Sequence, residues 1–349
     1  MQEINKEKQI VCVTGAGGYL ASWVVKFLLS KGYVVHGTVR DPCDEKKNAH
    51  LKTLENAAEN LQLFKTDLLD YEGLFAAIAG CTGVFHIASP VPIHSTVLNP
   101  EVVLLEPAIT GSRNVLNACM KAKVKKVVVV SSISAVVMNP YWPKDQAMDE
   151  NCWTDTEYCK SIEVTNDKCR LEGDFHESTK FWYRIGKTIA ESEALEYARR
   201  GELNLITVCP SNAIGPMLQS SINASSLLLL DYMKGERDTV ENKDRPMVDV
   251  RDVAEAILLA YENPKAEGRY ICSSHKIRTQ LLVEKLKNMF PEYNYPTKFT
   301  EVKDGVKLNS QKLQNLGWKY RPLEETIIDA VKDFEESGLL NKPISDVAK

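Results

Sequence analysis

The sequence predicts an α/β protein: a doubly wound parallel sheet followed by a smaller, mostly helical lobe. Three observations carry this reading. Apolar runs alternate with amphipathic segments over the first two-thirds of the 349 residues. One run, Val127 to Val130, is continuous valine, as a central strand covered on both faces requires. A glycine turn separates the first run from the first amphipathic segment.

The elements follow in order. Ile10 to Val13 reads as a buried strand and Tyr19 to Ser30 as a helix. Tyr33 to Val39 is a strand and Leu51 to Glu59 a helix. Leu61 to Lys65 and Val84 to Ile87 are strands, with the helix Tyr71 to Ala79 between them. Pro100 to Lys121 reads as one long helix, Phe181 to Arg200 as another, and Leu203 to Val208 as a strand. Strands separated by helices imply right-handed crossovers. The pattern changes near Pro210 to Pro216. Helices then dominate, over Ala224 to Lys234, Asp252 to Glu262, Arg278 to Met289 and Leu323 to Glu336. Short strands at Pro246 to Val248 and Arg269 to Cys272 look too broken to continue the sheet. The expected division is a cofactor-binding domain over 1–215 and a substrate-binding lobe over 216–349, with a tail from Asn341.

Gly15, Gly18 and Ala21 have the spacing G-x-x-G-x-x-A at a strand end and a helix start. Glycines there permit a tight turn and let backbone N–H groups approach a pyrophosphate, the mark of a Rossmann dinucleotide site. Thr14, Gly15, Gly17, Gly18, Tyr19 and Leu20 are the expected contacts. The second strand ends Val39-Arg40-Asp41, with Lys46-Lys47 following. A guanidinium at this place suits a ribose 2′-phosphate, whereas an acid suits a free 2′-hydroxyl. Arg40 and Lys47 therefore favour NADPH, and Asp41 keeps NADH as the alternative.

Far downstream, Tyr183 and Lys187 stand four residues apart and share one helical face. The ammonium is expected to pull the phenol below its ordinary pKa of about 10, so that Tyr183 gives the proton in reduction and takes it in oxidation. Ser131 and Ser132 follow the valine run at the carboxyl end of that strand, where ligands sit in such sheets. Met217, Leu218 and the run Leu227 to Leu230, with Leu228 at its centre, are expected to form an uncharged pocket wall. Arg184 either meets an anionic substrate group or reaches solvent.

The order of these motifs resembles the extended short-chain dehydrogenase/reductases, and within them the plant cinnamoyl-CoA reductase-like proteins and dihydroflavonol reductases. The resemblance rests on Val13 to Tyr19, His36 to Pro42, Val84 to Pro90, Val248 to Ala254 and Leu316 to Pro322. It implies that Ser132 is the catalytic serine, with Tyr183 and Lys187, and that the pro-S hydride is transferred. It implies a structural role for Asn114. It also places Asp67 and Leu68 at the adenine, Ile87, Ala88 and Ser89 at the nicotinamide ribose, Pro210 beside the cofactor, and Ser134 and Val137 toward the substrate. The expected function is NADPH-dependent reduction of a small aldehyde or ketone, with a hydroxycinnamoyl-CoA thioester as the alternative substrate. Against the thioester, Leu228 and Asp231 stand where cinnamoyl-CoA reductases place a His and a Lys toward coenzyme A. Arg251, a third such position, is kept. Val137 stands where flavonoid reductases use an Asn. The segment Ser161 to Lys180 is longer than in such relatives and lacks periodicity, which suggests either a flap at the substrate mouth or a surface insertion.

Composition narrows the class further. Charged residues are 26% and hydrophobic ones 44%, ordinary for a globular enzyme. A net charge of -4 gives no footprint for nucleic acid. No secretory signal and no apolar run of about 18 residues is seen, so neither export nor a membrane span is expected. The nine Cys are scattered and the six His form no ligand-spaced cluster, so buried thiols and no metal are expected. The expected setting is the cytoplasm, as a monomer or homodimer. A nucleotide-sugar epimerase would need basic residues in the lobe, whose first helix is apolar with an acid. A non-catalytic scaffold would not need the phenol.

Overall fold

The computed structural model describes residues 8–91, 99–165, 175–302 and 305–341. The middle of the Ser161–Lys180 segment and the tail beyond residue 341 lie outside the described residues.

The central sheet has seven strands: β1 (Ile10–Thr14), β2 (Val34–Val39), β3 (Leu61–Lys65), β4 (Gly83–His86), β5 (Lys126–Val130), β6 (Leu205–Pro210) and β10 (Gly268–Cys272). Their order is β10-β6-β5-β4-β1-β2-β3, and every pairing is parallel. The order reverses between β1 and β4, so a crevice opens beyond their carboxyl ends. Val127 and Val128 are fully buried, as a strand with helices on both faces requires. One apolar core lies under the helix α1 (Tyr19–Ser30) and the helix Val250–Glu262, which pack together. The opposite core lies under the helices Tyr71–Ile78 and Glu106–Lys121. The lobe has its own core, in which Leu229, Met233, Leu286, Ile327 and Phe334 meet. Two small sheets complete it, of order β11-β9-β7 (His275–Arg278, Asp244–Asp249, Asn212–Ile214) and β12-β8 (Lys298–Glu301, Thr239–Asn242).

Four elements differ from the sequence reading. The chain after Pro216 does return to the central sheet, because β10 extends it beside β6. Arg269, near the start of that strand, is charged, yet it is buried against a carboxylate. The stretch read as a helix over Leu51 to Glu59 is two helices, α2 (Glu45–Lys52) and α3 (Ala57–Asn60). They break at Asn56, whose φ of 64° is left-handed, a conformation Asn tolerates better than most residues. Helix α2 starts early because the Asp44 carboxylate caps the Lys47 N–H. The long helix after Pro100 opens with a π-helical turn, Glu101–Leu105. Pro107, at the start of the α-helix proper, has no N–H to give to the preceding turn. Finally, the helix bearing Tyr183 begins at Phe175 and runs to Arg199, and Thr156–Thr165 is also helical. Much of the segment read as aperiodic is therefore helix.

Candidate active site

The glycine turn forms as its spacing demands. Gly15 has φ +67°, and a Cβ there would stand 3.0 Å from the Ala88 Cβ. Its N–H donates to the Thr38 hydroxyl (3.0 Å), and the Gly18 N–H donates back to the Gly15 carbonyl (2.9 Å). Gly18 is the N-cap of α1, with no side-chain capping bond and no acid in the first turn. The opening N–H groups of a 12-residue helix thus face the crevice uncapped. That arrangement fits a pyrophosphate. Leu20 and Tyr19 follow on the helix, and the Tyr19 hydroxyl donates to the Gly215 carbonyl (3.0 Å).

A polar chain that sequence reasoning missed holds this turn against β4. The Ile87 and Ala88 N–H groups donate to the Thr14 Oγ1 (3.0 and 3.1 Å). Ser112 gives its hydroxyl hydrogen to the Ala108 carbonyl (2.7 Å), so it accepts from His86 Nε2 at 3.1 Å. The other ring nitrogen, Nδ1, then accepts from the Thr14 hydroxyl at 3.0 Å. Burial, helped by nearby Lys187, pushes His86 down to about 3, so the ring stays neutral in this tautomer. The only sequence signal was a histidine at the end of an apolar strand.

Arg40 lies exposed at the end of β2. Lys47 follows on α2, with its backbone carbonyl beside Gly17 and its ammonium paired with Asp44 (3.0 Å). Asp41, the feature that favoured NADH, turns its carboxylate to the Cys43 N–H (3.1 Å). After β3, Asp67 accepts from the Leu69 N–H (2.8 Å), and Leu68 gives its carbonyl to the Asn114 side chain (3.0 Å). Ser89 is half-buried after β4, and Pro210 ends β6.

The residues expected to react, Ser132, Tyr183 and Lys187, gather at the carboxyl end of β5. Ser132 accepts from the Ser134 N–H (3.1 Å), and its hydroxyl also bonds the phenol of Tyr183. Lys187 is buried and donates to the Val130 carbonyl (3.0 Å). The expectation that Lys187 lowers the Tyr183 pKa is not met: burial pushes the phenol up to about 12, and the Ser132 bond only moderates this. Burial likewise brings Lys187 down to about 8, against the pull of Glu191. At the phenol, loss of water outweighs the hydrogen bond with Ser132.

The expected substrate residues are less united. Val137 is partly buried beside Val136, Cys152 and Ile271, and the Ser134 carbonyl accepts from Thr154 (2.8 Å). Arg184 lays its guanidinium 5.3 Å from the Phe181 ring centre. Leu218 packs on the sheet core, whereas Met217 is buried in the lobe core. The run Leu227 to Leu230 is not a continuous wall. On a helix its residues fan around the axis, so Leu229 and Leu230 fill the lobe core while Leu228 lies half-buried against it. Arg251 bonds the Asp249 carboxylate twice (2.9 and 2.7 Å) and Asp329 once (2.6 Å). Among the described residues, no group of three or more His, Cys, Asp or Glu could hold a metal ion, and no helix is long and apolar enough to cross a membrane.

Comparison with known proteins places the fold and the family. The family model described as NAD dependent epimerase/dehydratase matches residues 11–272. Cinnamoyl-CoA reductase 1 of Petunia hybrida is 44% identical over 96% of the chain and 95% of its own length. A bifunctional dihydroflavonol 4-reductase/flavanone 4-reductase of Malus domestica is 38% identical over 98% of the chain and 94% of its own. Among solved structures, alfalfa vestitone reductase superposes with a TM-score of 0.78 at 29% identity, covering 95% of this chain and 100% of that one. Yeast methylglyoxal/isovaleraldehyde reductase, complexed with NADPH, gives 0.77 at 25% identity, covering 95% and 100%.

Proposed function

The chain belongs to the NAD dependent epimerase/dehydratase family, and from that membership we propose that it is an NADPH-dependent reductase of a small, free aldehyde or ketone, of the aromatic or specialised-metabolism kind. The observation that carries the reading is the Ser132–Tyr183–Lys187 group at the end of β5, beside an uncapped α1 N-terminus at the sheet's switch point.

NADPH, when bound, supplies the hydride. The α1 N-terminus, Thr14, Gly15, Gly17 and Gly18 would hold its pyrophosphate. Arg40 and Lys47 would hold the 2′-phosphate, Asp67 and Leu68 the adenine, and Ile87, Ala88, Ser89 and Pro210 the nicotinamide side. The protein's own part is to place the carbonyl and deliver a proton. Ser132 and Tyr183 would both donate to the substrate oxygen, and the oxygen takes the Tyr183 proton as it becomes an alcohol. A phenol held near 12 is fully protonated at neutral pH, which suits an acid in the reducing direction. Lys187, with a pKa brought to about 8, restores that proton only while it is an ammonium. Reduction is therefore expected to hold on the acid side of about pH 8 and to decline as pH rises through it; a kcat profile from pH 6 to 10 checks the sign.

Free carbonyls are favoured over coenzyme A thioesters. Leu228 and Asp231 offer no cation to a phosphate, and Arg251 is committed to Asp249 and Asp329. The test is NADPH absorbance followed against aldehydes, ketones and acyl-CoA esters of matched acyl groups. The account expects kcat/KM to be higher for the free carbonyls; a preference for the thioesters would make this a cinnamoyl-CoA reductase proper. Arg40→Ser tests the cofactor assignment. Loss of one charge-assisted phosphate contact of about 1.5–3 kcal/mol should weaken NADPH roughly 10- to 150-fold and leave NADH unchanged.

We divide the chain near residue 215 into a cofactor-binding part and a substrate lobe, with residues 250–272 returning to the first. The setting we propose is cytoplasmic, as a monomer or homodimer.

A further inference from the structure

One buried carboxylate has no part in the reaction as described. Glu191 lies one turn beyond Lys187 on the same helix and is 1% exposed. Its Oε2 accepts from the Ser131 hydroxyl (2.7 Å), the residue before Ser132. Its Oε1 accepts from the Thr207 hydroxyl (2.7 Å) and the Cys209 thiol (3.0 Å) on β6. Arg269 of β10 grips both oxygens, through Nε (2.8 Å) and Nη2 (3.0 Å). The same guanidinium donates to the carbonyls of Ala135 (2.9 Å) and Cys152, and stacks 3.7 Å from the Trp153 ring centre. One ion pair thus ties the Tyr183 helix, two strands, the Ser132 loop and the 150–153 loop to one point.

Resting on the reductase reading above, we infer that Glu191, gripped by Arg269, is a positioning residue for the reduction: it holds the Ser131–Ser132 backbone in register with Tyr183 and Lys187. A core ion pair that served stability alone would not need a hydroxyl from the residue adjoining the catalytic serine, nor sit a single helical turn from Lys187. The pair also sets the field at the ammonium. Lys187 is faced by Glu191 from its own helix, His86 from β4, the Val130 carbonyl from β5 and Cys209 from β6. Burial keeps His86 and Cys209 neutral. Of these groups, Glu191 carries the negative charge.

The test is Glu191→Gln, which keeps size and one acceptor oxygen but removes the charge. Three readouts are taken beside the parent: thermal midpoint, NADPH affinity by fluorescence titration, and kcat as a function of pH with a free aldehyde. The inference expects NADPH affinity unchanged, kcat lowered about 10- to 100-fold, and the alkaline limb moved toward acid by roughly one pH unit. A lower midpoint with parental kcat and an unmoved limb would overturn it. If this variant does not fold, the double variant Glu191→Met/Arg269→Met replaces the pair with apolar side chains of similar volume, an exchange that buried ion pairs often tolerate. Its kcat should stay depressed, and recovery to the parental profile overturns the inference. A parent that reduces no carbonyl would instead sink the functional reading, and the two failures are distinguishable.

Discussion

Replacing Tyr183 with Phe should lower kcat for carbonyl reduction by about 10²–10⁴-fold, the range general acid catalysis ordinarily supplies. The ring keeps its half-buried place, so packing changes little. What is lost is the hydroxyl that bonds Ser132 and would deliver the proton. The expected signature is a fall in kcat with NADPH affinity kept, because none of the groups assigned to the pyrophosphate or the 2′-phosphate lies on this ring. Stopped-flow reduction at saturating aldehyde, paired with a fluorescence titration of NADPH, separates the two quantities. A variant that keeps parental kcat would remove Tyr183 from the chemistry.

The second large effect is expected at Gly15. Gly15→Val should abolish useful cofactor binding while leaving most of the fold intact. Two penalties act together. A β-branched residue at φ +67° is strained by roughly 1–2 kcal/mol. Its first carbon would already press on the Ala88 Cβ at 3.0 Å, and overpacking of that kind typically adds about 1–3 kcal/mol. The chain can relieve both only by moving the turn that bonds Thr38 and Gly18. A loss of about 2–5 kcal/mol is roughly a 30- to 4,000-fold weaker NADPH complex. Isothermal titration measures it, and circular dichroism checks that the sheet persists. Affinity within roughly threefold of the parent, about 0.65 kcal/mol, would mean the turn does not hold the cofactor.

Much of the cofactor half was legible in the chain because its signals are local. Gly15 and Gly18 sit within one turn, the valine run needs only its own composition to be read as a covered strand, and Tyr183 and Lys187 are neighbours on a helix. What escaped depends on partners distant in sequence. The strand that opens at Arg269 reads as too short to continue the sheet because the carboxylate that lets its arginine be buried, Glu191, lies on another element. Without that pairing, β10 could not be assigned to the central sheet. His86 was invisible as a network member since its bonds run to Thr14 and Ser112. Helix α2 has no apolar face to betray it, and only the Asp44 cap marks its start. The Leu227 to Leu230 run misled for the opposite reason: composition suggested a wall, whereas helical geometry divides it between the lobe core and its edge. The direction of the Tyr183 pKa is not legible for a like reason: a sequence shows the neighbouring charge but not how far each group is withdrawn from water.

In the proposed reaction this crevice moves a hydride from NADPH to a free carbonyl carbon while Tyr183 supplies the proton. The most direct measurement uses NADPH deuterated at both C4 positions, an unlabelled aromatic aldehyde, and mass spectrometry of the product. The expected product is an alcohol with one deuterium on the carbinol carbon, formed by the parent enzyme and slowed in step with NADPH oxidation by Tyr183→Phe. An alcohol free of deuterium, or label transfer as fast in the Phe variant as in the parent, would contradict it.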